Sequence, residues 1–184
     1  MTDKAVDWRD LAERLDAITY QENGRMESGG TNVAEKALAL IVGDDFVRQT
    51  TDYCVSGEPG SETARSVLRL LRPQVARDRC IEIFRMSDGS VRGAAAIHLL
   101  SDVADLSVLQ WMPEIQANSD IFVRAYSARI IDQLWMGGDL EPEEGRPFLD
   151  ALLRDTDDMV RNAAKRLLEM WERDAALERG EDFE

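Results

Sequence analysis

Apolar residues recur along the chain at helical spacing. Counting from Val160, apolar or small residues fall at steps of three, four, seven, eight and eleven, and together they form one stripe on a helix. The stripe comprises Val160, Ala163, Ala164, Leu167, Leu168 and Trp171. No stretch alternates apolar and polar residues with a period of two long enough to predict a sheet. The pattern therefore predicts an all-α protein.

The pattern is repeated. Three segments, beginning at Ser87, Ser119 and Thr156, read Ser/Thr-Asp-x-x-Val-Arg followed by small residues, and weaker copies begin at Thr31 and Ser61. The Ser, Thr or Asp residue caps the first turn of a helix. The anchor positions are Val33, Ala64, Val91, Val123 and Val160. Other helical stretches are predicted between the copies, at 3–20, 44–55, 73–86, 105–117 and 142–154. The chain therefore divides into five helix pairs, A then B.

This organisation resembles the HEAT-repeat family of α-solenoids in its short bacterial form. The resemblance implies a right-handed α-solenoid of about five HEAT-like helix pairs (an α-α superhelix) over residues 1–177, strongest over 73–173. An acidic C-terminal tail, 178–184, follows. In the family the motif's Asp and Arg side chains form a structural ladder between adjacent repeats. Here the ladder residues would be Asp88, Arg92, Asp120, Arg124, Asp157 and Arg161.

Charge narrows the choice of partner. The 184 residues include 22 Lys and Arg against 36 Asp and Glu, a net charge of −14. This balance disfavours a general nucleic-acid binder and docking on anionic membranes, and it favours a protein partner with a basic patch. The N-terminus lacks an apolar secretory signal and no segment is long and apolar enough to span a membrane, so a cytoplasmic protein is expected.

The cysteines are expected to be structural. Cys54 and Cys80 take nearly the same place on successive A helices, so both are predicted to be buried, reduced thiols. They do not have metal-ligand spacing, and His98 is the single histidine. The sequence predicts no metal, no cofactor and no catalytic residue.

The outward face of the B helices is expected to line a concave binding surface. His98 and Asp102 replace core residues one turn apart, and they form either a structural pair or a site. Ile97 and Leu100 form a contact patch unless a loop covers them. The predicted partner-binding residues are Ile97, His98, Leu100, Arg129, Asp132, Trp135, Lys165, Arg166 and Glu169. Among the tryptophans, Trp135 is the candidate for exposure, whereas Trp8, Trp111 and Trp171 are expected to pack.

The sequence favours a non-catalytic protein-interaction module, such as an adaptor, a scaffold or an inhibitor of the immunity-protein type. The alternative is a HEAT-like enzyme, either a bilin lyase or an enzyme that excises alkylated DNA bases. The B helices carry ten basic and nine acidic residues, a near-neutral balance that disfavours the DNA enzyme. A structural domain or a homo-oligomer also fits the sequence, and the oligomeric state is left open.

Overall fold

The computed structural model describes residues 6–21, 24–27, 31–87 and 90–179. The regular secondary structure of these residues is helical apart from one antiparallel pair of short strands, so the prediction of an all-α protein is confirmed. The chain forms two compact units, Met1–Ala76 and Arg77–Glu184, which are described separately. The single domain over 1–177 stays a prediction. None of the described helices is both long enough and apolar enough to cross a membrane.

The first unit combines helices with a strand pair. Its elements are α1 (Trp8–Arg14), β1 (Ile18–Gln21), β2 (Gly24–Glu27), α2 (Thr31–Val42), α3 (Asp44–Ser56) and α4 (Ser61–Leu71). The helix predicted at 3–20 is wrong beyond Arg14, because Asp16 adopts a left-handed φ of 53° that ends the helical path. Ile18 then pairs with Glu27 across the two strands. Helices α3 and α4 pack together, and α2 packs against both.

The elements from Gln74 onward match the predicted helices closely. They are α5 (Gln74–Met86), α6 (Val91–Val103), a 3-10 helix (Leu106–Trp111), α7 (Met112–Gln116), α8 (Ile121–Met136), α9 (Pro142–Leu153) and α10 (Asp158–Glu178). The helix predicted at 105–117 is divided in two, with Pro113 in the first turn of α7. Residue 178 is the last of α10, and residues 180–184 of the predicted tail lie outside the described part. Cys54 and Cys80 are buried thiols, as predicted.

Helix α8 is the centre of the second unit. It packs against α6 and against α10, and α7 and α9 also pack against it. Its buried stripe consists of Val123, Ile130, Ile131 and Leu134, each at most 1% exposed. Because burying one such aliphatic side chain contributes about 1.5 to 3 kcal/mol, this stripe dominates the packing of the unit.

The register of α6 differs from the prediction by two residues. Val91, the predicted core anchor, is 89% exposed, and Gly93 is buried in its place. The cause is the helix cap. The Ser90 hydroxyl oxygen accepts a hydrogen bond from the Gly93 amide, so Ser90 is the N-cap of α6 and lies three residues before Gly93. In α8 and α10, the Asp cap likewise lies three residues before Val123 and Val160. Taking the third helical residue as the anchor, the positions 4, 7 and 11 residues later are buried in all three helices.

The residues predicted for the ladder at α8 and α10 form contacts other than the predicted Asp–Arg pairs. Arg124 forms a bidentate ion pair with Asp155, in which Nε lies 2.7 Å from Oδ2 and Nη2 lies 3.0 Å from Oδ1. Asp155 is not one of the aspartates of the repeat motif. Asp120 and Asp157 instead cap α8 and α10. Arg161 donates to the Asp155 carbonyl and to Asp158. The Arg124–Asp155 pair therefore joins the start of α8 to the loop before α10.

The first predicted ladder pair differs from the other two. Asp88 lies outside the described residues. Arg92 is exposed and directly precedes Gly93, so it lies outside the register in which Arg124 and Arg161 directly follow their anchors. The two-residue shift of α6 is the cause. The ladder between repeats therefore stays a prediction, and the structure shows Asp155 as the acidic partner of Arg124.

Replacing Asp155 by Asn tests the Arg124–Asp155 pair. The Arg124 guanidinium holds the pKa of Asp155 below its ordinary value, chiefly through their hydrogen bonds. The pair therefore stabilises the fold above about pH 4, and its contribution is lost as the pH falls through the lowered pKa. We expect Asp155→Asn to lower the free energy of unfolding by about 2 kcal/mol at pH 7. The gap to wild type should narrow towards pH 2 in urea titrations. Asp174→Asn, at an exposed carboxylate of α10, should change stability little, and an equal loss in both variants would contradict this account.

Two helical glycines provide a matched pair for testing the packing. A Cβ atom at Gly145 would lie 2.7 Å from Trp171 Cη2 and 3.2 Å from both Ile131 and Leu140. A Cβ atom at Gly93 would meet Ser87 at an ordinary 3.5 Å. We expect Gly145→Ala to destabilise the protein by about 1 to 3 kcal/mol and Gly93→Ala to be neutral or stabilising. Thermal unfolding of both variants measures the difference, and an unchanged midpoint for Gly145→Ala would refute the close packing.

Candidate functional site

An open groove of about 410 Å³ runs between α8 and α10. From α8 it is lined by Phe122, Ala125, Tyr126, Ala128, Arg129 and Asp132, and from α10 by Met159, Ala163, Arg166, Leu167 and Met170. Both helices contribute from the faces next to their buried stripes. The packing of α8 on α10 therefore fixes the position of every lining residue.

The neighbouring seam, between α6 and α8, shows why the groove exists. There His98 stacks on Tyr126, with ring centroids 4.7 Å apart and planes 9° from parallel. Counting from the anchors, the positions equivalent to His98 and Tyr126 in the next seam are Ala128 and Ala163. Two aromatic rings are thus replaced by two methyl groups. The space that the rings fill between α6 and α8 stays open between α8 and α10.

An arginine and an aspartate also occupy equivalent positions in the two seams. Arg129 donates to Ser101 Oγ at 3.0 Å and to Asp102 Oδ1 at 2.9 Å, which ties α8 to α6. The Asp102 side chain is 4% exposed and that of Arg129 is 44% exposed, so the guanidinium also reaches the groove. Asp132 and Arg166 are the equivalent residues in the next seam, and both line the groove. In the part of the chain that the structure describes, neither side chain forms an ion pair.

The groove also exposes a cluster of large apolar residues. Phe122 is 54% exposed, Met170 46% and Met159 37%. Phe122 and Met159 each directly precede the anchor of their helix, so they occupy equivalent positions on α8 and α10. A cluster of this kind is typical of a surface that binds another molecule.

The predicted partner-binding residues are only partly brought together. Arg129, Asp132 and Arg166 line the groove, and His98 contacts it through Tyr126. Lys165 and Glu169 are exposed on α10 but outside the lining. The His98–Asp102 pair stays a prediction, since the partner described above for Asp102 is Arg129.

The remaining predictions for this face need correction. Ile97 and Leu100 are completely buried and form no contact patch, because the shifted register of α6 turns them into the core. Trp135 is half-buried, with its ring edge-on to that of the buried Trp171 at 6.0 Å. Trp8, which belongs to α1 of the first unit, was also expected to pack, and it is exposed.

Sequence reasoning missed Phe122, Met159 and Met170. The signal was present for two of them, because a large apolar residue stands directly before the anchor in both the fourth and the fifth copies. That position lies off the core stripe, so an apolar residue there indicates an exposed apolar surface.

Side chains of several chemical types line the groove. It presents aromatic, thioether, guanidinium and carboxylate groups. No group of three or more His, Cys, Asp or Glu residues that could hold a metal ion occurs among the described residues. Comparisons with family models, with curated proteins and with solved structures found no match to this chain. The geometry of the groove is therefore the basis for a functional proposal.

Proposed function

We propose that this chain is a HEAT-like α-solenoid that works as a non-catalytic protein-interaction module and binds a partner protein in the groove between α8 and α10. The single observation that carries the proposal is the open, largely apolar groove with Phe122, Met159 and Met170 exposed along it. An adaptor, a scaffold or an inhibitor would all use such a surface.

The repeated register of the B helices supports the solenoid. Helices α6, α8 and α10 have their caps three residues before the anchor, and in all three the anchor and the positions 4, 7 and 11 residues later are buried. Helix α8 packs against both of the others. Equivalent helices packed side by side in one register are the basic unit of a solenoid, whose exposed face binds partners.

The shape of the groove favours a macromolecule over a small molecule. Its volume falls within the range of small-molecule pockets, but such pockets enclose roughly 70 to 90% of their ligand's surface. Here three of the lining side chains are between 37% and 54% exposed, so the groove lies open to solvent. A partner that covers the groove from outside fits this geometry better.

The charge of the groove favours a protein over a nucleic acid. Arg129 and Arg166 are accompanied by Asp132 in the lining, and Asp102 already neutralises Arg129. Affinity for a phosphate backbone comes from the net neutralisation of phosphates by Lys and Arg, which nearby carboxylates reduce. Mixed charges around an apolar centre are instead typical of protein–protein contacts.

Affinity capture with a filled groove tests the proposal. Ala163→Tyr places in the groove the residue type that Tyr126 supplies in the neighbouring seam, whereas Ala175→Tyr adds the same side chain at an exposed site elsewhere on α10. We expect a specific partner to be captured equally by wild type and Ala175→Tyr, and at least about tenfold less by Ala163→Tyr. Quantitative mass spectrometry of the captured proteins measures this, and matching melting midpoints confirm that both variants are folded. If no captured protein depends on the groove, the proposal is wrong.

A further inference from the structure

The groove also indicates what kind of segment it binds. Building on the proposed function, we propose that its occupant is an amphipathic α-helix of the partner protein, with apolar residues against Phe122, Met159 and Met170 and a carboxylate opposite Arg166.

The backbone chemistry of the walls selects a helix. Both walls are α-helices, whose peptide groups are hydrogen-bonded within each helix. They offer no row of donors and acceptors to an extended peptide, whose own backbone groups would lose water in an apolar groove. A helical occupant satisfies its backbone internally and needs only side-chain contacts, which is the helix-in-groove mode of recognition.

The dimensions of the groove set the spacing of the apolar residues. From Phe122 to Asp132 on α8, and from Met159 to Met170 on α10, the walls extend for about 15 Å, or three helical turns. A helix lying in the groove presents residues at i, i+4, i+7 and i+11 along this length. The large residues at i and i+4 would fill the space above Ala128 and Ala163. The two methionines adapt to the shape of the inserted side chains.

The charges fix one further position. Arg129 and Arg166 occupy equivalent places on the two walls, two turns from Phe122 and Met159. Arg129 is held by Asp102, whereas the exposed Arg166 forms no ion pair among the described residues. A carboxylate of the bound helix, about seven residues from the first apolar residue that it places in the groove, would pair with Arg166. Asp132, one turn further along, would accept a hydrogen bond from a cationic side chain of the occupant. Because the whole chain has a net charge of −14, we expect the partner protein to carry additional basic residues where it contacts the surface outside the groove.

Selection from a random peptide library tests this inference without knowledge of the natural partner. A phage-displayed library of random peptides of about 16 residues, long enough for four helical turns, is selected on immobilised wild type, on Arg166→Glu and on Lys165→Glu. The two substitutions change charge equally at neighbouring exposed positions of α10, but Lys165 lies outside the groove lining. Circular dichroism and melting midpoints confirm the fold of each variant.

The expected result is a motif with apolar residues at helical spacing and Asp or Glu at one fixed position. On Arg166→Glu that position should change to Lys or Arg, and peptides selected on wild type should bind at least about tenfold more weakly. Lys165→Glu should select the wild-type motif. Binding peptides should lose affinity for Ala163→Tyr, which places them in the groove.

Three outcomes would overturn the inference. In the first, the selected apolar residues alternate with a period of two. In the second, the acidic position of the motif stays the same on Arg166→Glu. In the third, the library yields no peptide whose affinity falls on Ala163→Tyr. If groove-dependent capture of a partner protein succeeds while the library gives any of these results, the proposed function stands and the helical occupant is wrong. If no captured protein depends on the groove, the proposed function fails, whichever peptides the library gives.

Discussion

The second unit depends on the burial of one apolar stripe of α8 between its neighbours. Val123, Ile130, Ile131 and Leu134 are all but inaccessible to water, and the positions equivalent to Val123, Ile130 and Leu134 are buried along α6 and α10 as well. Each such side chain contributes about 1.5 to 3 kcal/mol, whereas an exposed ion pair contributes between about 0 and 1 kcal/mol. The stripe therefore sets the rotation of each B helix. The caps then fix where each helix begins, and the Arg124–Asp155 pair ties the start of α8 to the loop before α10.

The groove follows from that packing and from two small residues. Once the stripes fix the register, each seam brings the same pair of positions together. Between α6 and α8 these positions hold His98 and Tyr126, whose rings stack and close the seam. Between α8 and α10 they hold Ala128 and Ala163, and the seam stays open. The second pair of positions holds Asp102 and Arg129 in one seam and Asp132 and Arg166 in the other. One seam is thus closed by stacking and an ion pair, whereas in the other the same types of charged side chain line an open groove.

Local signals in the sequence predict most of the helices, because caps, prolines and apolar periodicity act within a few residues. Helix α4, for example, begins at Ser61, where one of the weaker copies of the repeat begins. The prediction fails where two local signals compete. By sequence, Asp88 (three residues before Val91) and Ser90 (three residues before Gly93) are both acceptable caps for α6. The choice of Ser90 shifts the helix register by two residues, which buries Ile97 and Leu100. Three of the lining residues, Arg129, Asp132 and Arg166, were predicted from the exposed face of the B helices. The opening of the groove could not be predicted, since it depends on which side chains meet across two helices far apart in the sequence.

Methionine oxidation tests most directly whether the apolar groove is open. Two other methionines serve as internal references for the oxidation rate. Met86 lies outside the groove and is 69% exposed, whereas Met112 is completely buried. Since oxidation requires access to the sulfur atom, we expect dilute peroxide to oxidise Met159 and Met170 at rates near that of Met86, and at least about tenfold faster than Met112. A bound helical peptide should slow the two groove methionines and leave Met86 unchanged. If Met159 and Met170 react as slowly as Met112 in the unbound protein, the groove is closed and the proposed binding site does not exist.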